Sequence, residues 1–203
     1  MNKLLSSIFF CLLLASPVFQ SSCSEENDEE DEYANWKERN DEQTDQWATR
    51  ASSGTYRKIL TYAKSESASS LTNSDYIYVE EVEKGSGTES PIYTDNVRVA
   101  YRGRYIPTKS YPEGYVFDQT FLGNFDWKTA NMIDASPEGL VEGFSTALMH
   151  MHEGDRWIVH IPYQLGYGTS TSAGIRAYSD LTFDIALLEF WPQGEERGKF
   201  KSR

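Results

Sequence analysis

"GLVEGFSTALMHMHEGDRWIVHIPYQLGYG", residues 139–168, runs from a helix through a strand to a glycine-flanked tyrosine. Leu140, Phe144, Ala147, Leu148 and Met151 recur at the three- and four-residue spacing of one helical face. Pro137, just ahead, marks the helix start, and Gly154 follows its end. "DRWIVHIP" then alternates apolar and polar residues, the period of a half-buried strand. The last eight residues, "IPYQLGYG", hold no Ser, Cys, His, Lys or carboxylate, yet Gly166 and Gly168 bend the backbone around Tyr167. A site built on this stretch must perform a reaction that needs neither a nucleophile nor a general base.

Outward from that stretch the strand period repeats. "YIYVEEVEKG" (76–85), "VRVAYRGRYI" (97–106) and "LTFDIALLEF" (181–190) alternate, and "GYVFDQTF" (114–121) reads as a further short strand. Several strands and one amphipathic helix over residues 75–193 predict an α+β domain with the helix packed across an antiparallel sheet. That length is sufficient to bury a core. Residues 33–64 read as a helical N-terminal segment of weak amphipathicity, because Asn40 and Gln43 share the stripe of Tyr33, Trp36 and Trp47. This segment is expected to dock on the domain, to pair with a second copy or to be partly disordered. "SESASSLTNS" (65–74) is a Ser-rich linker and residues 194–203 are a polar tail.

The first 22 residues have the pattern of a secretory signal: Lys3, an apolar run from Leu4 to Ala15, then Pro17 and small residues. That run is shorter than the roughly 20 residues a transmembrane span requires. Cys11 leaves with the signal, and Cys23 stands where the mature chain begins. Its position resembles the lipid-attachment cysteine of a bacterial lipoprotein, although Gln20 occupies a position where that motif has an apolar residue. The alternative is cleavage near Ser22 and a free thiol. "SEENDEEDE" (24–32) follows, seven of its nine residues acidic, and reads as a solvated tether. It also resembles the surface-export signal of Bacteroidetes-type lipoproteins. The expected location is therefore the cell envelope, as an outer-membrane lipoprotein facing either the periplasm or the surface. Loss of Lys3 with the leader takes the formal net charge from −12 to −13. Such a charge excludes nucleic acid as a partner and leaves lipid on Cys23 as the membrane hold.

The remaining chemistry is aromatic. No nucleophile elbow, phosphate loop or catalytic carboxylate pair stands out. The "HMHE" at 150–153 lacks any second ligand cluster, so no metal site is expected. Aromatic side chains instead recur beside glycines and turn residues. Taken one at a time, each of these rings reads equally well as ordinary core.

From about Tyr76 to Trp191 the sequence resembles the FKBP-type peptidyl-prolyl cis–trans isomerases, the family that binds tacrolimus and rapamycin. "VRVAYRGRY" is similar to the family strand V-x-Y-x-G, with Tyr101 and Gly103 in place. "YVFDQT" resembles the element carrying Phe117 and Asp118, and "FDW" resembles the family F-x-F, with Phe125 at the pocket position. The opening stretch follows the family pattern almost continuously and supplies Leu140, Val141, Phe144 and Tyr167. "GIRAYSDLTFDIALLEF" (174–190) matches the closing pattern, with Ile175 and Phe183.

The resemblance implies an antiparallel twisted sheet wrapped around one short helix and an isomerase that uses no cofactor. It implies that Phe144 forms the pocket floor, and that Tyr101, Phe117, Phe125 and Phe183 surround a proline ring. The Val141 N–H and the Tyr167 hydroxyl would donate to substrate carbonyls, and Asp118 would orient its neighbours. Its partners would be proline-containing segments of exported clients, with tacrolimus or rapamycin as ligands. Three features depart from the family. Phe144 replaces the usual Trp. Arg176 replaces the usual Pro and is expected to loosen the loop after Tyr167. An insertion at 104–116 lengthens the hairpin, either as a client surface or as a tolerated loop. A non-catalytic binding module, or a structural subunit of a lipoprotein complex, is the alternative.

Overall fold

The computed structural model describes residues 32–197. The signal, Cys23, the acidic run as far as residue 31 and residues 198–203 lie outside the described residues. Two long alternating strands, β3 (Asn96–Tyr105) and β7 (Leu181–Trp191), pair over their whole length and form the spine of the sheet. The other strands are β1 (Arg57–Leu60), β2 (Tyr76–Glu83), β4 (Val116–Gln119), β5 (Ile133–Ala135) and β6 (Arg156–Ile161). All pairings are antiparallel, in the order β1-β2-β6-β7-β3-β4. β5 shares the outer edge of β3 with β4: β5 pairs at Val97–Val99 and β4 at Arg102–Arg104.

Period-2 alternation gives this sheet two faces. Val97, Val99, Val159, Ile161, Leu181, Phe183 and Ile185 turn to one side and are buried. A short helix, α2 (Glu142–Leu148), covers them. Seven residues are too few for a stable isolated helix, so tertiary packing holds it. The approach is close, since a Cβ on Gly143 would stand 2.4 Å from Ile161 Cγ2.

The helix is shorter than its apolar stripe predicts. Pro137 opens a 3-10 turn, Pro137–Gly139, rather than the α-helix itself. Leu140 and Val141 are then extended, and α2 begins at Glu142. Ser145 holds this kink by donating its hydroxyl to the Pro137 carbonyl at 2.7 Å.

The segment expected to be helical from 33 to 64 is helical only in α1 (Trp36–Ser52). Gly54, at φ +81°, turns the chain, and Arg57–Leu60 then add to β2 as an edge strand. Free β2 backbone groups, satisfied by this pairing, override the weak helical pattern. Trp36, Trp47, Tyr56 and Ile59 are buried in the same core as the sheet. Each such side chain contributes roughly 2–3 kcal/mol by leaving water. The segment is docked.

The polar residues on the α1 stripe have a use. Asn40 is fully buried, its side chain accepting the Asp180 N–H at 2.7 Å and donating to the Trp36 carbonyl at 2.5 Å. Thr44 donates its hydroxyl to Asp180 Oδ2 at 2.8 Å, and the Tyr163 N–H meets Oδ1 at 2.8 Å. Burial pushes the Asp180 carboxyl up to about 8, against those hydrogen bonds.

A carboxyl whose folded value lies above its unfolded one stabilises the fold most at low pH. That stability is lost between the unfolded value of 3.8 and about 8. Asp180→Asn keeps an acceptor for Tyr163 and offers an amide N–H to Thr44. In urea titrations from pH 5 to 8, the variant should gain on the native chain by roughly 1 kcal/mol per pH unit. Parallel stability curves would refute this account of Asp180.

Candidate active site

A cleft of about 320 Å³ opens between α2 and the β3–β4–β5 end of the sheet. Two of its aromatic walls seat where Gly103 has no side chain. A Cβ there would stand 2.5 Å from the Phe117 ring and 2.6 Å from Phe183. Both rings occupy that space and meet edge to face at 5.6 Å. Phe144, from α2, meets Phe183 at 5.0 Å and Tyr101 at 5.8 Å, both edge to face. Phe144 and Phe183 are buried, while Tyr101 and Phe117 are half-buried at the mouth. Aromatic pairs in this geometry hold one another beyond what area burial provides.

The polar groups are few. Asp118, exposed at the rim, accepts the Tyr101 hydroxyl at 2.5 Å. Burial, and then the Asp118 carboxylate, push the Tyr101 phenol above its usual range. Burial, and then the charge of Asp118, also push the Tyr167 phenol up. Both phenols therefore remain O–H donors at neutral pH. Tyr167 follows a 3-10 turn, Tyr163–Leu165, and its hydroxyl has no hydrogen-bond partner among the described residues. Gly168, at φ +77°, closes the turn by donating its N–H to the Tyr163 carbonyl at 2.8 Å. Val141 caps α2, where the first amides of a helix lack intrahelical acceptors. Leu140 and Val141, held extended before α2, line the cleft beside this amide.

Eight of the ten residues expected at the site line this cleft: Tyr101, Phe117, Asp118, Leu140, Val141, Phe144, Tyr167 and Phe183. Two do not. Phe125 lies on the opposite face of the sheet, between Phe121 at 5.2 Å and Trp127 at 4.9 Å, with the Arg156 guanidinium over its ring. The chain after β4 crosses that face before returning as β5. Ile133 and Ala135 of β5, with Val99, fill the wall assigned to Phe125. The available signal was the alternation of Ile133, Asp134 and Ala135 just ahead of Pro137. Ile175 is core, buried and bridged to Ser172, rather than cleft wall.

Arg176 also differs from expectation. Its N–H donates to the Tyr105 hydroxyl at 3.0 Å, and its guanidinium lies 4.1 Å over the Tyr33 ring. The loop is pinned where proline is missing. Elsewhere, His150 bonds the Thr146 carbonyl and His152 lies 3.5 Å from Asp155.

A family model described as FKBP-type peptidyl-prolyl cis-trans isomerase matches residues 87–188. The macrophage infectivity potentiator of Trypanosoma cruzi is 33% identical over 119 residues, covering 58% of this chain and 55% of that one. The FKBP-type 22 kDa peptidyl-prolyl cis-trans isomerase of Escherichia coli is 32% identical over 109 residues, covering 53% and 47%. The chain thus spans about half the length of these curated relatives. Among solved structures, FkpA from Escherichia coli superposes with a TM-score of 0.54 at 23% identity, over 78% of this chain and 62% of that one. A peptidyl-prolyl cis-trans isomerase from Pseudomonas syringae does so at 0.54 and 21% identity, over 76% and 95%. These superpositions show a shared fold.

Gly103→Ala should force the Phe117 and Phe183 rings apart and lower stability by about 1–3 kcal/mol. Urea unfolding reads the loss. An unchanged midpoint would mean that the rings yield freely and do not depend on Gly103.

Proposed function

The chain belongs to the FKBP-type peptidyl-prolyl cis–trans isomerase family, and from that premise we propose that it isomerises Xaa–Pro bonds in exported client proteins. The observation that carries the proposal is an aromatic cleft with a buried floor, equipped with O–H and N–H donors. Rotation about an Xaa–Pro bond breaks amide resonance, at a barrier of about 18–20 kcal/mol. Uncatalysed, it takes tens to hundreds of seconds. No bond to another group forms or breaks, so nothing need act as nucleophile.

The twisted amide has less charge separation than the planar one. An apolar, water-poor cleft therefore favours it relative to the ground state. The proline ring sits on Phe144 between Tyr101, Phe117 and Phe183. The Val141 amide and the Tyr167 hydroxyl donate to carbonyls of the bound peptide and fix it while the amide turns. Asp118 holds the Tyr101 hydroxyl and so fixes that wall. It acts as a positioning residue rather than as a proton carrier. A ten-thousandfold acceleration requires about 5.5 kcal/mol, within reach of enclosure plus a few hydrogen bonds. Tacrolimus and rapamycin compete for the same cleft. Phe144 offers them a smaller floor than Trp and no indole N–H.

The place of action is the cell envelope. Lipid on Cys23 anchors the chain to the outer membrane, and the acidic tether of residues 24–32 spaces the domain from the bilayer.

With a short Xaa-Pro peptide and full-length chain, Phe183→Ala and Tyr101→Ala should each lower kcat/KM at least tenfold. Trp127→Ala, on the far face of the sheet, should leave it within about twofold. Equal losses in all three, tracking their melting temperatures, would show that core has been taken for cleft. Baseline rates from well-folded native chain would end the enzyme reading.

Cys23→Ala should move the protein from the membrane to the soluble fraction of its own cells. Unchanged fractionation excludes lipid at that residue.

A further inference from the structure

The insertion at 104–116 is not a slack loop. Its Tyr115 ring lies 6.0 Å from Tyr105 and 5.1 Å from Tyr111, and Tyr105 lies 5.2 Å from Phe117. Phe117 is itself a wall of the proline cleft. Four rings thus run without a gap from the cleft to the surface, where Tyr111 and Tyr115 remain 42% and 41% exposed.

The row is built rigidly. Gly114, at φ +83°, brings the loop so near β3 that a Cβ would stand 2.1 Å from the Tyr105 carbonyl oxygen. Thr108 and Gly114 both donate their N–H groups to the Tyr111 carbonyl, at 3.0 and 2.8 Å. The loop tip is tied to the N-terminal arm, because the Glu32 carboxylate accepts the Ser110 N–H at 2.9 Å and its hydroxyl at 2.8 Å. Exposed tyrosines held in place in this way offer contact area at little conformational cost. Tyr105 between them and the cleft is buried and holds both ends of the row in place.

We propose that Tyr111 and Tyr115 form an extended subsite for the same substrate, selecting an aromatic residue of the client chain beside the proline. The inference rests on the proposed isomerase reading of the cleft. The occupant is the polypeptide already held there, since the row begins at a ring that touches its proline. Tyr115 stands just ahead of β4, its carbonyl accepting the Tyr105 N–H at 3.0 Å, and Tyr111 lies one ring further out. An extended peptide advances about 3.3 Å per residue, so the selected position is about two to four residues from the proline.

The test uses full-length chain and two ten-residue peptides sharing one Xaa-Pro core. One carries Tyr or Phe two to four residues from the proline, and the other carries Ser there. A four-residue peptide that stops short of the subsite serves as reference. The aromatic peptide should have a kcat/KM about five- to tenfold above the Ser peptide. The double variant Tyr111→Ala/Tyr115→Ala should abolish that ratio and leave the four-residue peptide within about twofold. A ratio near one in the native chain, or a ratio that survives in the variant, overturns the proposal. So does a native dimer that the double variant dissociates, since the rings would then face a second copy. If the chain isomerises no peptide, the function proposal has failed and the subsite is read by binding. In that case fluorescence anisotropy should show the aromatic peptide binding more tightly to native chain than to the variant. Equal binding refutes the subsite separately.

Discussion

Asp180 is buried without an ion pair among the described residues, and three parts of the chain depend on it. Its carboxyl takes Thr44 of α1 on one oxygen and the Tyr163 amide on the other, and Asn40 takes its N–H. The first and last of these join the buried Trp36 and Trp47 in docking the N-terminal helix. The second fixes the start of the turn that places Tyr167. Taking a carboxyl out of water without an ion pair is costly, and the hydrogen bonds to both of its oxygens offset that cost. The same group thus joins the N-terminal segment to the working loop, which explains why two distant segments fold as one body.

The cleft follows from another absence. Gly103 removes a side chain near one end of the longest strand pairing, and Phe117 and Phe183 turn in to fill the place. Phe144 arrives from a helix too short to stand alone, held by Ser145 on the Pro137 carbonyl. The extended pair Leu140–Val141 created by that kink opens the cleft to the Val141 amide, which has no backbone acceptor among the described residues. The chemistry that results is apolar enclosure with a few donors. The poverty of "IPYQLGYG" in reactive groups fits that place in the fold.

Long strands were legible because their alternation is strong: β2, β3, β6 and β7 all stand where period 2 places them. β1 was not, since Arg57–Leu60 has four residues and becomes a strand only by completing the β2 edge. Asn40 looked like a defect in an amphipathic stripe, and its partner, Asp180, lies 140 residues away. Motif spacing brought eight aromatic, aliphatic and acidic residues to one cleft. It misplaced Phe125 because the chain between β4 and β5 crosses to the other face of the sheet, and residue counting does not register a change of face. Ile133 had no aromatic ring to mark it, and its register opposite Val99 is set only by strand pairing.

Arg176 shows how a departure from a family pattern is absorbed. Proline at that position would stiffen the loop by limiting its unfolded conformations. Arginine keeps its N–H, which a proline would lack, and that N–H donates to the Tyr105 hydroxyl. The guanidinium then covers Tyr33, which packs edge to face on Trp36 and Tyr105. The loop after Tyr167 is therefore tied to the N-terminal arm and to the ring row that begins at Phe117. Stiffness that one residue could have supplied locally is supplied here by contacts among three segments. The N-terminal arm thus shares in holding the cleft loop, because Tyr33 and Trp36 both pack edge to face on Tyr105 and the Arg176 guanidinium lies over Tyr33.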